Sequence, residues 1–270
     1  MSAYGPTEYE PTAHGPTGPG AHDLDGPAGY GPTEPAAYGP AEPAAYGPAE
    51  PAACGPTGPT ELLVIAKEPV PGRVKTRLCP PFSPAEAAEL AAAALADTLE
   101  TVLALPARRR VLVLDGRPGP WVPPGIEVVP QSGGGLDERL AAAFGRCTGP
   151  ALLVGMDTPQ ITPALLAPAL APDAWEGCDA WFGPAEDGGF WALGLAQPDP
   201  ALLRGVPMSV PETGAVQRRR LVEAGLSVRD LPVLLDVDTA SDAHRVAADA
   251  PGGRFAAALG RLTGAGAGVR

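Results

Sequence analysis

Lys67, Arg73, Lys75 and Arg77 crowd into one short stretch, K-x-P-x-P-G-x-V-K-T-R-L, running from Lys67 to Leu78. It follows directly on the apolar run Leu62-Leu63-Val64-Ile65-Ala66. Arg offers a planar fork to phosphate oxygens and Lys a mobile point charge. Pro69 and Pro71 stiffen the turn, Gly72 relaxes it, and Thr76 sits between the last two cations. A basic loop at the carboxyl end of a first strand is well placed to hold phosphate, because ligands of open α/β sheets bind along that edge. The competing reading is a solvated turn with scattered charges.

Acids occur in comparable positions. Asp157 lies in G-M-D-T-P, directly after the buried-type run Ala151–Val154. One carboxylate there suits Mg²⁺ or Mn²⁺, which keep waters and share phosphate oxygens; capping a turn or helix is its alternative role. Asp236 and Asp238 fall on one face if their segment is extended, since side chains alternate. Asp238 also precedes a helix-start pattern, so capping and metal binding both stand for it. In G-P-A-E-D-G-G-F-W (183–191), Gly188 and Gly189 would let backbone approach an acceptor, with Asp187 or Glu186 orienting it or assisting the metal. Asp-Gly is equally a hairpin signal. A fourth loop, from Gln131 to Arg139, carries Gly133-Gly134-Gly135; these permit close approach to a base or ribose, and the Gln131 amide could read a base edge.

The elements around these loops alternate. Strands are expected at Leu62–Ala66, Arg110–Asp115, Ile126–Val129, Ala151–Val154, Cys178–Gly183, Phe190–Leu195 and near Leu226–Asp230. Helices are expected from Pro84 to about Leu105, opened by a Ser83…Glu86 capping box, then over Leu136 to Gly145, Thr162–Leu170, Thr213–Ala224, and from Ala240 and Arg254. This pattern predicts an α/β fold: a three-layer α/β/α sandwich with a mainly parallel sheet and its strand-end loops on one edge.

Composition sets the limits. Residues 1–60 hold no Lys or Arg, and an eight-residue unit beginning Tyr-Gly-Pro recurs from Tyr30, Tyr38 and Tyr46. Such a Gly/Pro/Ala-rich repeat cannot offset its ordering entropy and is expected to be a disordered tail. The expected domain covers 61–262, with a flexible end over 263–270. Of the formal charge of −12, the tail's seven acids leave −5 for the remainder, which disfavours nucleic acid as a partner. Four cysteines without C-x-x-C spacing argue against a zinc site or a disulfide frame. There is no apolar run near the length of a membrane span and no leader-like pattern, so a cytoplasmic, soluble chain is expected.

Taken in order, the basic loop, the Gln131–Arg139 loop, G-M-D-T-P, G-P-A-E-D-G-G-F-W and D-V-D-T resemble the selenodomain-associated transferase family, whose fold is similar to glycosyltransferase A. The resemblance covers about Glu61 to Ala248. The first motif is also similar to the loop of phospholactate guanylyltransferases and, more distantly, of molybdenum-cofactor and sugar-phosphate nucleotidyltransferases. The resemblance implies that Lys75 and Arg77 contact nucleotide phosphates and that Asp157 and Asp238 share a divalent cation. The expected function is a metal-dependent transferase, preferably moving a nucleotidyl group from a nucleoside triphosphate to a small phosphorylated acceptor. A glycosyltransferase using a nucleotide-sugar, and a non-catalytic nucleotide sensor or assembly protein, are the alternatives. Lys75, Arg77, Asp157 and Asp187 are the expected catalytic residues. Lys67, Gly72, Arg73, Thr76, Gln131, Gly188 and Gly189 complete the expected nucleotide contacts.

Overall fold

The structure, a computed structural model, describes residues 59–266. Residues 1–58 of the expected tail (1–60) and 267–270 of the expected flexible end (263–270) lie outside the described residues; of the rest, Thr60 is buried and 263–266 continue the last helix. Seven strands form one sheet: β1 (Glu61–Lys67), β2 (Arg109–Asp115), β3 (Glu127–Pro130), β4 (Ala151–Gly155), β5 (Ala180–Pro184), β6 (Phe190–Leu195) and β7 (Val228–Asp230). Their spatial order is β3-β2-β1-β4-β6-β5-β7. All pairings are parallel except those of β6, which runs antiparallel to both β4 and β5. The mainly parallel sandwich expected from the alternation is what forms.

β1 lies inside the sheet, between β2 and β4, and is apolar on both faces as an interior strand requires. Leu62, Val64 and Ala66 join one buried cluster and Leu63 and Ile65 the other, with the period of two that a pleated strand imposes. The first cluster is covered by α1 (Pro84–Ala104) and α3 (Pro163–Leu170), the second by α2 (Leu136–Phe144) and α4 (Thr213–Glu223). α5 (Ala240–Asp249) and α6 (Arg254–Gly266) pack outside α1, around a third cluster that includes Leu90, Val246 and Phe255. None of the described helices is long and apolar enough to cross a membrane.

Local chemistry sets the boundaries. Ser83 opens α1 with a reciprocal box: its amide donates to Glu86 Oε2 (2.7 Å) and its hydroxyl accepts from the Glu86 amide (3.3 Å). β5 begins at Ala180 and β7 at Val228, later than the apolar runs suggest. Asp179 and Ser227, just ahead of the two strands, bond each other's side chains and backbone, closing the ladder before it starts (Ser227 Oγ to Asp179 Oδ2, 2.7 Å). The ends of β1, β2, β4 and β5 all fall on one edge. β6 runs the other way, so its beginning at Phe190 also lies there.

Candidate active site

A cleft of about 640 Å³ opens on that edge. Its floor is stitched from three loops distant in sequence. The amide of Val237 donates to the Asp157 carbonyl (2.9 Å), which joins the segment ahead of α5 to the loop after β4. The Lys75 ammonium donates to the Val237 carbonyl, adding the loop after β1. Lys75 takes the left-handed conformation (φ 50°), uncommon for a residue with a side chain and frequent at functional sites.

The Lys75 side chain is only 8% exposed, and its Nζ lies 2.7 Å from Asp157 Oδ1 and 3.8 Å from Asp238 Oδ1. Arg77 Nη1 reaches Asp238 Oδ2 at 3.0 Å, with most of the Arg77 side chain in solvent. Asp157 and Asp238 thus converge on one cationic point, currently an ammonium of the protein itself. Neither acid is spent on a helix cap. Thr162 caps α3, accepting from the Leu165 amide at 3.3 Å, and Thr239 caps α5, accepting from the Asp242 amide at 3.3 Å. The capping alternative therefore falls on neighbouring threonines.

Asp236 emerges as the residue under greatest electrostatic load. It lines the cleft beside Asp238, while Val237 between them is buried in the core, so the alternation read from D-V-D holds. Burial, then the charges of Asp157 and Asp187, push the Asp236 carboxyl up to about 7; Lys75 opposes this and Asp238 adds to it. Its Oδ1 is buried without a hydrogen-bond partner, as is the hydroxyl of Thr158. Sequence alone pairs Asp236 with Asp238 but carries no signal of this load, part of which comes from the charges of Asp157 and Asp187 on two other loops.

The remaining expected residues divide. Lys67, Arg73, Thr76, Gln131, Asp187 and Gly189 line the cleft, whereas Gly72 and Gly188 are not on its wall. Lys67 and Arg73 also border a smaller recess with Glu68 and Asp115. Gln131 spends its amide on the sheet, donating to the carbonyls of Ala66 (2.8 Å) and Val113 (3.2 Å). Its oxygen faces Arg139 Nη1 at 3.4 Å. The group expected to read a base is thus a strand-end brace.

The glycines have local causes. A Cβ on Gly188 (φ +88°) would meet the Pro211 carbonyl oxygen at 1.9 Å, so the missing side chain makes room for the protein's own chain. A Cβ on Gly134 would strike Glu138 Oε2 at 1.6 Å, and Glu138 accepts from the Gly135 amide (3.1 Å) at the start of α2. Asp187 Oδ1 accepts from the Gly189 amide at 2.8 Å, closing the β5–β6 hairpin.

These oxygens suit a hard divalent cation. Among the described residues no three acid, histidine or cysteine side chains form a preassembled cage. Separate carboxylates with an orphaned buried oxygen instead fit an ion that keeps waters and takes phosphate oxygens. Asp157, Asp236 and Asp238 are the groups that would hold it.

A solved structure from Desulfovibrio desulfuricans G20, of a protein provisionally assigned as a nucleotide-diphospho-sugar transferase, superposes with a TM-score of 0.61. Identity is 28%, over 68% of this chain and 84% of that one. The two share a fold. Residues 89–210 also match the family model described as an uncharacterized protein conserved in bacteria (DUF2064), a segment that includes Asp157 and Asp187 but neither the basic loop nor Asp236 and Asp238. More distant matches include Rv0371c from Mycobacterium tuberculosis H37Rv in complex with manganese (21% identity, TM-score 0.41, covering 71% of this chain and 98% of that one). Another is 2-C-methyl-D-erythritol 4-phosphate cytidylyltransferase from Thermus thermophilus (14%, TM-score 0.44, covering 70% and 97%). At those scores they carry no weight for this chain. No curated protein matches the sequence.

Proposed function

We propose that this chain is a divalent-metal-dependent nucleotidyltransferase, of the selenodomain-associated type its motifs resemble, joining a nucleoside triphosphate to a small phosphorylated acceptor. The carrying observation is the convergence of Lys75 and Arg77 with Asp157, Asp236 and Asp238 at the sheet edge. In this reading an acceptor phosphate oxygen attacks the α-phosphorus. The bond from the α-phosphorus to the bridging oxygen breaks, and pyrophosphate leaves with its electron pair. Asp157, Asp236 and Asp238 would hold a divalent cation, which would supply charge neutralisation for the reaction.

The chain's own part is positioning and electrostatics. Lys75, released from Asp157, turns its ammonium to the phosphate oxygens where negative charge develops. Arg77, at the rim, gathers the outer phosphates, and Lys67 and Arg73 extend the positive border. The buried floor of Val237 and Met156 keeps water from behind the carboxylates and fixes their orientation.

A second reading, glycosyl transfer from a nucleotide-sugar, is favoured by the assignment of the Desulfovibrio protein. The same cleft would then hold the donor's diphosphate and assist departure of the nucleotide. Incubating the protein with each nucleoside triphosphate or nucleotide-sugar, Mg²⁺ or Mn²⁺ and phosphorylated acceptors separates the readings. Pyrophosphate release supports the first and nucleoside diphosphate release the second. Tight nucleotide binding with neither product points to a sensor.

A further inference from the structure

The cleft has two chemically different ends. Along the side formed by α2, the start of β6 and residues 207–211, the lining is largely apolar: Leu136, Leu140, Phe190, Met208, Val210 and Pro211. Leu140, Phe190 and Met208 belong to one continuous cluster with the sheet face beneath, so this wall is an opening in the core rather than scattered side chains. Leu136 and Val210 are two of the five large apolar residues exposed among those described, at 41% and 39%.

Several polar groups on this side are already engaged. The Thr213 hydroxyl donates to the Pro207 carbonyl (2.8 Å) and accepts from the Val210 amide (3.2 Å). Arg139 Nε donates to the Gly134 carbonyl at 3.0 Å, and its Nη1 faces Asp115 at 3.5 Å. The Gln131 amide is held by the sheet, as above. Ser209 also lines this side, in left-handed backbone at φ 60°. A polyol needs many fixed donors and acceptors, because each hydroxyl buried without a partner is costly. This wall does not supply them.

The wall is also fixed in place. The Gly214 amide donates to the Gly188 carbonyl at 2.8 Å, and the Pro211 carbonyl fills the space beside Gly188. The segment 207–211 is thereby pinned to the hairpin that carries Asp187.

We propose that this end is the acceptor subsite, and that the acceptor is a phosphate ester with an apolar alkyl or aryl body rather than a sugar or polyol phosphate. The assignment rests on the cleft's carboxylate end being the nucleotide and metal site. Burial on such a wall strengthens binding about threefold to fourfold per methylene.

The test is calorimetric titration of n-alkyl monophosphates, ethyl to octyl, and of glucose 1-phosphate, with Mg²⁺. Each is run with and without the α,β-methylene analogues of the four ribonucleoside triphosphates, which cannot turn over. The expected result is affinity rising severalfold per added methylene until the wall is filled, glucose 1-phosphate binding no better than ethyl phosphate, and retention of the slope with an analogue bound. Val210→Asn, at a half-exposed site with its melting temperature checked, should flatten the slope. A flat series, or glucose 1-phosphate binding as tightly as octyl phosphate, overturns the proposal. So does competitive displacement of the alkyl phosphates by an analogue, which gives the wall to the base. A flat series with analogue binding intact removes this inference alone. A steep series with no analogue binding removes the nucleotide reading and leaves the apolar subsite standing.

Discussion

Replacing Asp236 by Asn should remove a pH-dependent loss of stability from the metal-free protein. The folded-state pKa of Asp236 is about 7, against an ordinary value of 3.8, because it is buried with Asp157, Asp187 and Asp238 facing it and only Lys75 opposing. An acid whose pKa is raised on folding binds its proton more tightly in the native state. Stability from this group is therefore fully present below about pH 4 and falls as pH rises through 7. A rise from 3.8 to about 7 corresponds to on the order of 4 kcal/mol. In a folded region of this size that is roughly 8–15 °C of melting temperature. Asn keeps the shape and cannot ionise. The assay is calorimetric or circular-dichroism melting of wild type and Asp236→Asn in EDTA, from pH 4.5 to 8.5. The difference between the two reports Asp236 together with the acids and the Lys75 ammonium coupled to it, and removes titrations elsewhere in the protein. The variant should gain on wild type as pH rises toward about 7, and the gap should then level off and persist at pH 8. Parallel curves, with no pH-dependent gap, would refute the idea that Asp236 is held under this load.

Other changes separate chemistry from architecture. Asp157→Asn and Asp238→Asn should each abolish the Mg²⁺-dependent part of nucleotide binding in titration calorimetry, while Arg77→Ala should weaken binding only about fivefold, since an exposed charge is largely screened. Thr239→Ala should cost about 1 kcal/mol of stability in denaturant unfolding, the ordinary value of a cap, whereas Asp238→Ala should leave α5 capped and cost less. Gly188→Ala should destabilise more than Gly72→Ala in the same measurement: both have positive φ, but only at Gly188 would the methyl meet backbone, the Pro211 oxygen at 1.9 Å.

Much of the frame was legible because it depends on local chemistry. The Ser83 capping box, the apolar β1 and the Asp-Gly hairpin follow from propensity and spacing, and each appears where those place it. Lys75, Asp157 and Asp238 were singled out by their motifs and by the family resemblance; that they meet at one point is seen only in the structure. What stayed hidden depends on third parties. The electrostatic load on Asp236 needs acids from two other loops, and the role of Gln131 needs the carbonyls of β1 and β2 beside it. Gly188 looks like a ligand-approach glycine until Pro211, far along the chain, is seen to occupy the space. The apolar wall is drawn from α2, β6 and the 207–211 segment, and no single stretch of sequence carries its pattern.

The central claim is a cation-dependent phosphate site built from Asp157, Asp236, Asp238, Lys75 and Arg77, and titration of each ribonucleoside triphosphate into the protein tests it most directly. Run with Mn²⁺ and then with EDTA, on wild type and Asp157→Asn, it should show at least one triphosphate binding wild type tenfold or more tightly with Mn²⁺, and that gain should vanish in the variant. Equal affinity with and without the cation, or a gain that survives Asp157→Asn, would contradict the site.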